Sequence, residues 1–516
     1  MIDAISTSGP GLTLRLAVGT IFLLYATYIY IQRRKDYDAD RLFGEKHGCM
    51  PLKRRLPYKW PLALDAFKRQ YDALVAGNLL AFQSEYFEET QVGQTFEVKL
   101  LGRVGYFTLD PQNLEAILST NFEDWGLGSR REGLYPMIGE GIFTQDGHQW
   151  KHSRELLRRQ FVRIQYQDVK VFETPINSLL AALSSQTGVI DLQPEFFRFT
   201  LATTTSLIFG EPFAGLTPKD HEVFEENFDY CALIGAMRLR LANFCWLYNP
   251  SKFKQACAEV KKYATYYVNH ALKDQEENGE EEAADRHPFI LDLYKELRDP
   301  ILVRDQLMNV LIAGRDTTAC LMSWTFYLLV RHPTSLERLQ QEIHSIATNG
   351  QNVTRAQIAK MPYLKCVLNE TNRLYTQIPV NVREATKTTY IPRGGGPDGQ
   401  SPVLIRKGFG IGFSPYHMHR SKDIYGEDAN EFRPERWEGP QLKNIGFGFM
   451  PFHGGPRLCL GKDFALTEAS YGIVRILQTF PNLRLGPDEP KVQSGQEKQT
   501  LTIVVASADG CKVLLS

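Results

Sequence analysis

The chain has 516 residues, and its 59 basic residues are balanced by 59 acidic ones, so its formal charge at neutral pH is zero. With 43% hydrophobic and 23% charged residues it reads as a globular protein. It lacks the basic excess with which a nucleic-acid-binding protein collects phosphates. It also has no CxxC pair at zinc spacing, no Walker-type phosphate loop and no GxGxxG after a strand.

At the N-terminus, Leu16 to Ile31 is a charge-free apolar run between Arg15 and the cluster Arg33-Arg34-Lys35. Extended back to Gly11, it is long enough to cross a bilayer as a helix. Tyr25, Tyr28 and Tyr30 lie toward its C-terminal end, where interfacial aromatics are expected. The basic cluster follows the run instead of preceding it, which argues against a cleaved signal peptide. By the positive-inside rule residues 1–10 face the lumen and everything after residue 35 faces the cytosol. Residues 1–35 therefore read as a single-pass membrane anchor. Residues 36–62 read as a tether, interrupted by Pro51, Pro57 and Pro61, in which Lys53-Arg54-Arg55 can rest on anionic headgroups. The eight cysteines are scattered without paired spacing, which points to reduced thiols in a cytosol-facing compartment.

Short alternating segments at Thr95–Val104 and Thr500–Val505 predict strands, with Asp509-Gly510 as a turn. Trp150 and Arg154 fall one turn apart on a helix that also carries Lys151, Arg158 and Arg159. The acidic run Asp274–Asp285 reads as a solvated loop. Asn309 to His332 predicts a long apolar helix stopped by Pro333, followed by helices over Ser335–Ala347 and Ala356–Tyr375. Helices dominate and strands are few and short. The expected fold is one large, mainly α domain with small β-sheets, covering residues 63–516.

Inside the long helix stands Ala313-Gly314-Arg315-Asp316-Thr317-Thr318. Glycine costs a helix interior ~1 kcal/mol relative to alanine, and a threonine there can bond back to a carbonyl and distort the ladder. Such violations of propensity often mark function. Glu370 and Arg373 share a helix face at i, i+3, and Arg436 lies in Phe432-Arg433-Pro434-Glu435-Arg436-Trp437. The most informative stretch is Phe452-His453-Gly454-Gly455-Pro456-Arg457-Leu458-Cys459-Leu460-Gly461. It presents one cysteine just ahead of an apolar helix, whose unpaired N–H groups and dipole favour a thiolate. Gly455 and Gly461 would let the backbone approach a flat cofactor.

This loop, F-x-x-G-x-R-x-C-x-G, resembles the haem-ligand loop of the cytochrome P-450 superfamily. The A-G-x-D-T-T, E-x-x-R, P-E-R and W-x-x-x-R elements resemble the same family, in its order, over roughly residues 60–516. The resemblance implies haem b, with Cys459 as the axial iron ligand within a loop framed by Phe452, Gly455 and Gly461. It implies Trp150, Arg154, Arg383 and Arg457 as partners of the haem propionates. Asp316 and Thr317 would guide protons to bound dioxygen, and Glu370, Arg373 and Arg436 would brace the cysteine loop. Electrons would come from NADPH through a membrane-bound NADPH–cytochrome P-450 reductase. The expected pocket lining is Leu311, Ala313, Ile378, Val380 and Leu501, with the Trp125–Ile138 segment, including Trp125 and Leu134, as a roof.

The wording Ala-Gly-Arg-Asp-Thr-Thr-Ala-Cys is similar to the fungal branch that hydroxylates alkanes and fatty acids. That implies an endoplasmic-reticulum enzyme acting on a lipophilic, long-chain aliphatic substrate. Relatives often carry proline where Thr376 stands, a departure that also allows tailoring of a polyketide or other secondary metabolite. A third reading is a haem sensor or carrier without turnover. The intact Asp316-Thr317 element speaks against it.

Overall fold

Asp299 and Pro300 open the longest buried helix of the chain, Pro300–Leu329. The Asp299 carboxylate accepts from the Ile301 N–H at 2.8 Å, and Pro300 occupies the first turn, where no N–H partner is needed. The helix thus starts well before the expected Asn309, because its first turns are signalled by a cap and not by apolar periodicity. The computed structural model describes residues 10–165, 169–210, 217–347, 352–490, 492 and 494–515.

The central helix packs against Leu192–Phe209, Ser251–Asn278, Pro362–Leu374 and Lys462–Thr479. Its two halves feed different apolar clusters. Val303 to Ile312 join Leu134, Phe228 and Phe253, whereas Ala319 to Val330 join Phe196, Tyr375 and Leu477. The segment 313–318 lies between the clusters and belongs to neither. It is the same segment that the sequence singles out for its poor helix propensity.

The Thr95–Val104 expectation resolves into a hairpin, Thr95–Leu100 against Arg103–Thr108, turning at Leu101 and Gly102, both with positive φ. It opens a five-stranded sheet completed by Gly410–Phe413, Asn381–Ala385 and Trp125–Gly126. The C-terminal expectation becomes a hairpin of Gln499–Leu501 and Val505–Ser507. The expected helix Ala356–Tyr375 is broken at Pro362, giving Arg355–Ile358 and Pro362–Leu374. The acidic run is not a loop. Gly279, at φ +87°, separates Ser251–Asn278 from the helix Glu280–Arg286, and Asp274 pairs with Arg286 at 2.8 Å. The expected roof loop holds a helix, Arg130–Ile138.

The N-terminal helix runs from Pro10 to Lys46. Residues 36–46 therefore continue it, and only the proline-rich part of the expected tether is extended, pinned by bridges Leu52–Gly395 and Arg55–Glu97. Among the described residues no helix is long and apolar enough to cross a membrane. From Val18, where side chains are first described, to Ile31 the helix rises about 21 Å, short of a ~30 Å hydrocarbon core. The expected lumenal residues 1–9, and the side chains of Gly11–Ala17 in the expected span, lie outside the described set. The apolar side chains from Val18 to Ile31 are largely exposed.

Candidate active site

The cysteine loop is closed by its own backbone, the Cys459 N–H donating to the Phe452 carbonyl at 3.1 Å. Gly455 sits at φ +64°, and a Cβ there would meet the Leu118 carbonyl oxygen at 1.7 Å. Its freedom thus serves close packing against Leu118. At Gly461 a Cβ would make only ordinary contact with Phe161. Cys459 is exposed yet closely surrounded by protein, the situation of a residue lining a cleft. Its enclosed position raises its pKa above the usual thiol value, while the Gly461 N–H and Arg154 pull toward the thiolate. Leu460 next to it packs on the same cluster as Val310, Leu311 and Ile312, which brings the loop against the central helix.

On that helix Ala313, Gly314 and Thr317 are partly open, in a helix otherwise buried almost throughout. They form one short stripe at i, i+1 and i+4. Thr317 Oγ1 donates to the Ala313 carbonyl at 2.7 Å, which leaves its lone pairs as acceptors. Gly314 admits the neighbouring Thr204, whose hydroxyl would lie 2.5 Å from a Cβ. Asp316 is buried on the other face. Burial pushes its pKa up to about 6, against the opposing pull of Arg315, whose Nη1 lies 3.0 Å from Asp316 Oδ1. The same Arg315 nitrogen reaches the exposed Asp229 at 2.6 Å.

A group of cations rims the cleft. Arg457 stacks over Trp150 at 4.3 Å and pairs with Asp146 at 2.6 Å, and Arg154 lies 5.8 Å from the Trp150 ring. Arg383 Nη2 is 3.0 Å from His453 Nε2. Arg130, which the sequence reading missed, bonds to Asn381 Oδ1 beside Arg383. Burial and mutual repulsion hold Arg383 well below the ordinary guanidinium pKa, and burial lowers Arg130 and Arg457 to about 10. Among the described residues Asp146 is the carboxylate that offsets this charge. Several buried guanidinium groups around one acid is a costly arrangement, and two carboxylates brought by a ligand would relieve it. Trp125 Nε1 is also buried without a partner. Its side chain packs with the sheet core and not with the cluster of Leu134 and Leu311, so it stands apart from the other expected pocket residues.

Of those, Leu134 and Leu311 share the upper cluster, and Ala313 is on the open stripe. Leu501 is buried in the cluster of Phe196, Tyr375 and Leu477, Ile378 packs against that cluster, and Val380 is exposed. Thr376 is buried with an unpaired hydroxyl. Glu370, Arg373 and Arg436 meet in one fully buried network, away from the cleft.

Glu468, on the helix after the cysteine, is a second residue that sequence reasoning missed. It is buried beside Thr203, and burial raises its pKa to about 8. In the unfolded chain a glutamate ionises near ~4.3. Between these values the folded state holds a proton that the unfolded state has lost, so stability falls as pH rises. Glu468→Gln is expected to flatten the pH dependence of stability from about 4.5 to 8, read by urea unfolding across that range. An unchanged slope would show that Glu468 is ionised in the fold.

Comparison with known proteins identifies the scaffold. The family profile "Cytochrome P450" matches residues 55–505. A cytochrome P450 of Arthroderma benhamiae is 41% identical over 510 residues, covering 97% of this chain and 98% of that protein. Cytochrome P450 52A5 of Candida maltosa is 43% identical over 437 residues, 80% of this chain and 82% of that one. Cytochrome P450 52A1 of Candida tropicalis is 40% identical over 460 residues, 84% and 83% of the two chains. A mainly helical chain with small sheets, an open cysteine at the head of a helix and this match over most of its length make it a member of the cytochrome P450 family, a haem-dependent monooxygenase that draws its electrons from a redox partner.

Proposed function

We propose that this enzyme hydroxylates a C–H bond of a long aliphatic chain of the fatty-acid or alkane type. The observation that carries the reading is the partly open Ala313–Thr317 stripe between two apolar clusters, on the helix toward which the Cys459 loop packs. The similarity to the 52A relatives supports it. So does the wording of the central helix, which is similar to the alkane and fatty-acid branch.

The donor set fits haem. Cys459 offers a soft anionic ligand, and Arg130, Arg154, Arg383 and Arg457 offer the charge that two propionates need. Trp125 Nε1 adds an unused donor. Haem, when bound, supplies dioxygen activation, with the thiolate pushing electron density onto the iron. The chain supplies the rest. The Gly461 N–H and Arg154 favour the anionic form of Cys459. Thr317 Oγ1, its proton engaged by Ala313, accepts a hydrogen bond in the cleft. Asp316 takes up protons near pH 6, and Arg315 links it to the exposed Asp229. The apolar lining holds the aliphatic chain and excludes water.

The exposed apolar helix before Arg33, with exposed Trp60, Leu62, Trp246 and Leu247, supports attachment to a membrane. We place the enzyme on the endoplasmic reticulum with its body in the cytosol and NADPH–cytochrome P450 reductase as electron donor. Thr376, with its unpaired buried hydroxyl, favours a substrate carrying a polar group, as in secondary metabolism.

The test is an optical titration of the purified ferric protein with fatty acids and alkanes of graded length. A saturable low-spin to high-spin shift is expected, with the best length sizing the pocket. No shift with any chain would overturn the aliphatic reading and move the substrate to a functionalised metabolite.

A further inference from the structure

Two arginines near the end of the helix Pro218–Leu241 have different surroundings. Arg238 is fully occupied. Its guanidinium donates to the carbonyls of Glu132, Gly133, Cys245 and Tyr248 at 2.7–3.3 Å, and it reads as a structural brace. Arg240 uses one nitrogen only. Nη2 donates to the Leu501 and Thr502 carbonyls, at 2.9 and 3.3 Å, at the tip of the C-terminal hairpin. Nη1 is buried with no partner, and among the described residues no carboxylate lies within ion-pair distance of the group. Burial alone moves its pKa, down to about 10, so it remains a cation at neutral pH.

The position matters. Leu501, one of the expected pocket residues, is buried in the cluster of Phe196, Tyr375 and Leu477, and Ile503, two residues on, packs against the other cluster, that of Leu134 and Leu311, as Leu239 does. The helix then ends, and the exposed Trp246 and Leu247 follow. Arg240 therefore stands between the apolar interior and an exposed apolar rim. A half-satisfied guanidinium in such a place is expensive unless a ligand completes it.

We propose that Arg240 binds the carboxylate of an anionic aliphatic substrate and so sets preference for acids over neutral chains. It is a specificity residue, resting on the aliphatic reading above. Nη1, with both of its N–H groups free, offers a charge-assisted donor to one carboxylate. The hairpin carbonyls of Leu501 and Thr502 hold Nη2, and with it the guanidinium plane, while the alkyl chain runs toward the apolar interior. Neutral alkanes and alcohols would leave Nη1 unpaired, and a site that loses a buried hydrogen-bond partner discriminates strongly.

The test uses the full-length haem-loaded protein, titrated at neutral pH with dodecanoic acid and with 1-dodecanol, followed by the ferric spin-state shift. Wild type is expected to bind the acid more tightly. In Arg240→Gln the acid dissociation constant should rise at least about tenfold while that for the alcohol stays put. Arg240→Lys, which keeps the charge but cannot hold the hairpin carbonyls and the carboxylate together, should fall between. Equal weakening for acid and alcohol would make Arg240 a brace for the hairpin and overturn the proposal. So would an unchanged acid constant, with the aliphatic reading left standing. If wild type responds to neither compound, the aliphatic reading falls and takes this assignment with it.

Discussion

A Glu370→Ala variant is expected to fold without retaining haem, or not to accumulate at all. Glu370 has no solvent exposure and is the acid that Arg373 and Arg436 share. Its two oxygens accept from Arg373 Nε and Nη2 at 2.8 and 2.7 Å, and one also accepts from Arg436 Nε at 3.3 Å. The Arg433 backbone N–H and Trp437 Nε1 complete it at 3.0 and 2.9 Å. Removing the acid takes away the carboxylate partner of the buried Arg373, whereas Arg436 keeps Asp428 at 2.9 Å. Breaking a buried pair in this way costs ~3–5 kcal/mol, a large part of a typical net stability of ~5–15 kcal/mol.

The effect reaches the cysteine because the arginines hold the chain that leads to it. Arg373 donates to the His419, Ala429 and Glu431 carbonyls, and Arg436 to those of Tyr425 and Asp428. Tyr425 in turn bonds the Gly448 carbonyl at 2.8 Å, and His419 Nε2 accepts from the Met450 N–H at 3.0 Å. Those residues immediately precede the loop 452–461. The measurement is Soret absorbance per mole of purified protein. Normal haem content in Glu370→Ala would show that the network is not what braces the loop.

The parts of the site that could be read from the sequence are those whose chemistry is local. The Phe452–Gly461 loop closes on itself within eight residues, so its wording carries its shape. The Ala313–Thr318 segment breaks helix propensity where the two apolar clusters part, and that break is visible in the residues alone. The central helix was placed but started too late, because Asp299-Pro300 is a cap signal and not a periodic one. Pro362 was likewise read through, although it ends one helix and begins the next.

Arg130, Arg240 and Glu468 were not legible for a different reason. Each is a lone charged residue in an ordinary helical stretch, and such residues usually face water. Only the fold shows that Arg130 lies beside Arg383, that Arg240 ends under a hairpin from the far C-terminus, and that Glu468 is enclosed with Thr203. The pairing of Trp125 with Ala385 in the sheet, a contact that spans much of the chain, is invisible in the residues alone for the same reason.

In Thr317→Ala, NADPH oxidation is expected to continue while product formed per NADPH falls about tenfold, less than the ~10²–10⁴ that a positioned proton transfer can contribute, because water entering the cleft substitutes in part. The argument rests on which end of the hydroxyl is free. Thr317 spends its proton on the Ala313 carbonyl, so what it offers the cleft is an acceptor that fixes the direction of a donor there. Alanine removes that acceptor without touching the hydrogen bond that ties the buried Asp316 to Arg315. Electrons then still arrive, but they leave as hydrogen peroxide and not as hydroxylated product. Thr317→Ser keeps an oxygen at the same atom and should keep most of the coupling. Asp316→Asn acts differently. It abolishes the group that takes up protons near pH 6 and should slow turnover itself, by severing the link through Arg315 to the exposed Asp229. Peroxide and product are measured together against NADPH consumed. Unchanged coupling in Thr317→Ala would remove the hydroxyl from proton delivery and leave it a helix residue satisfied within its own turn.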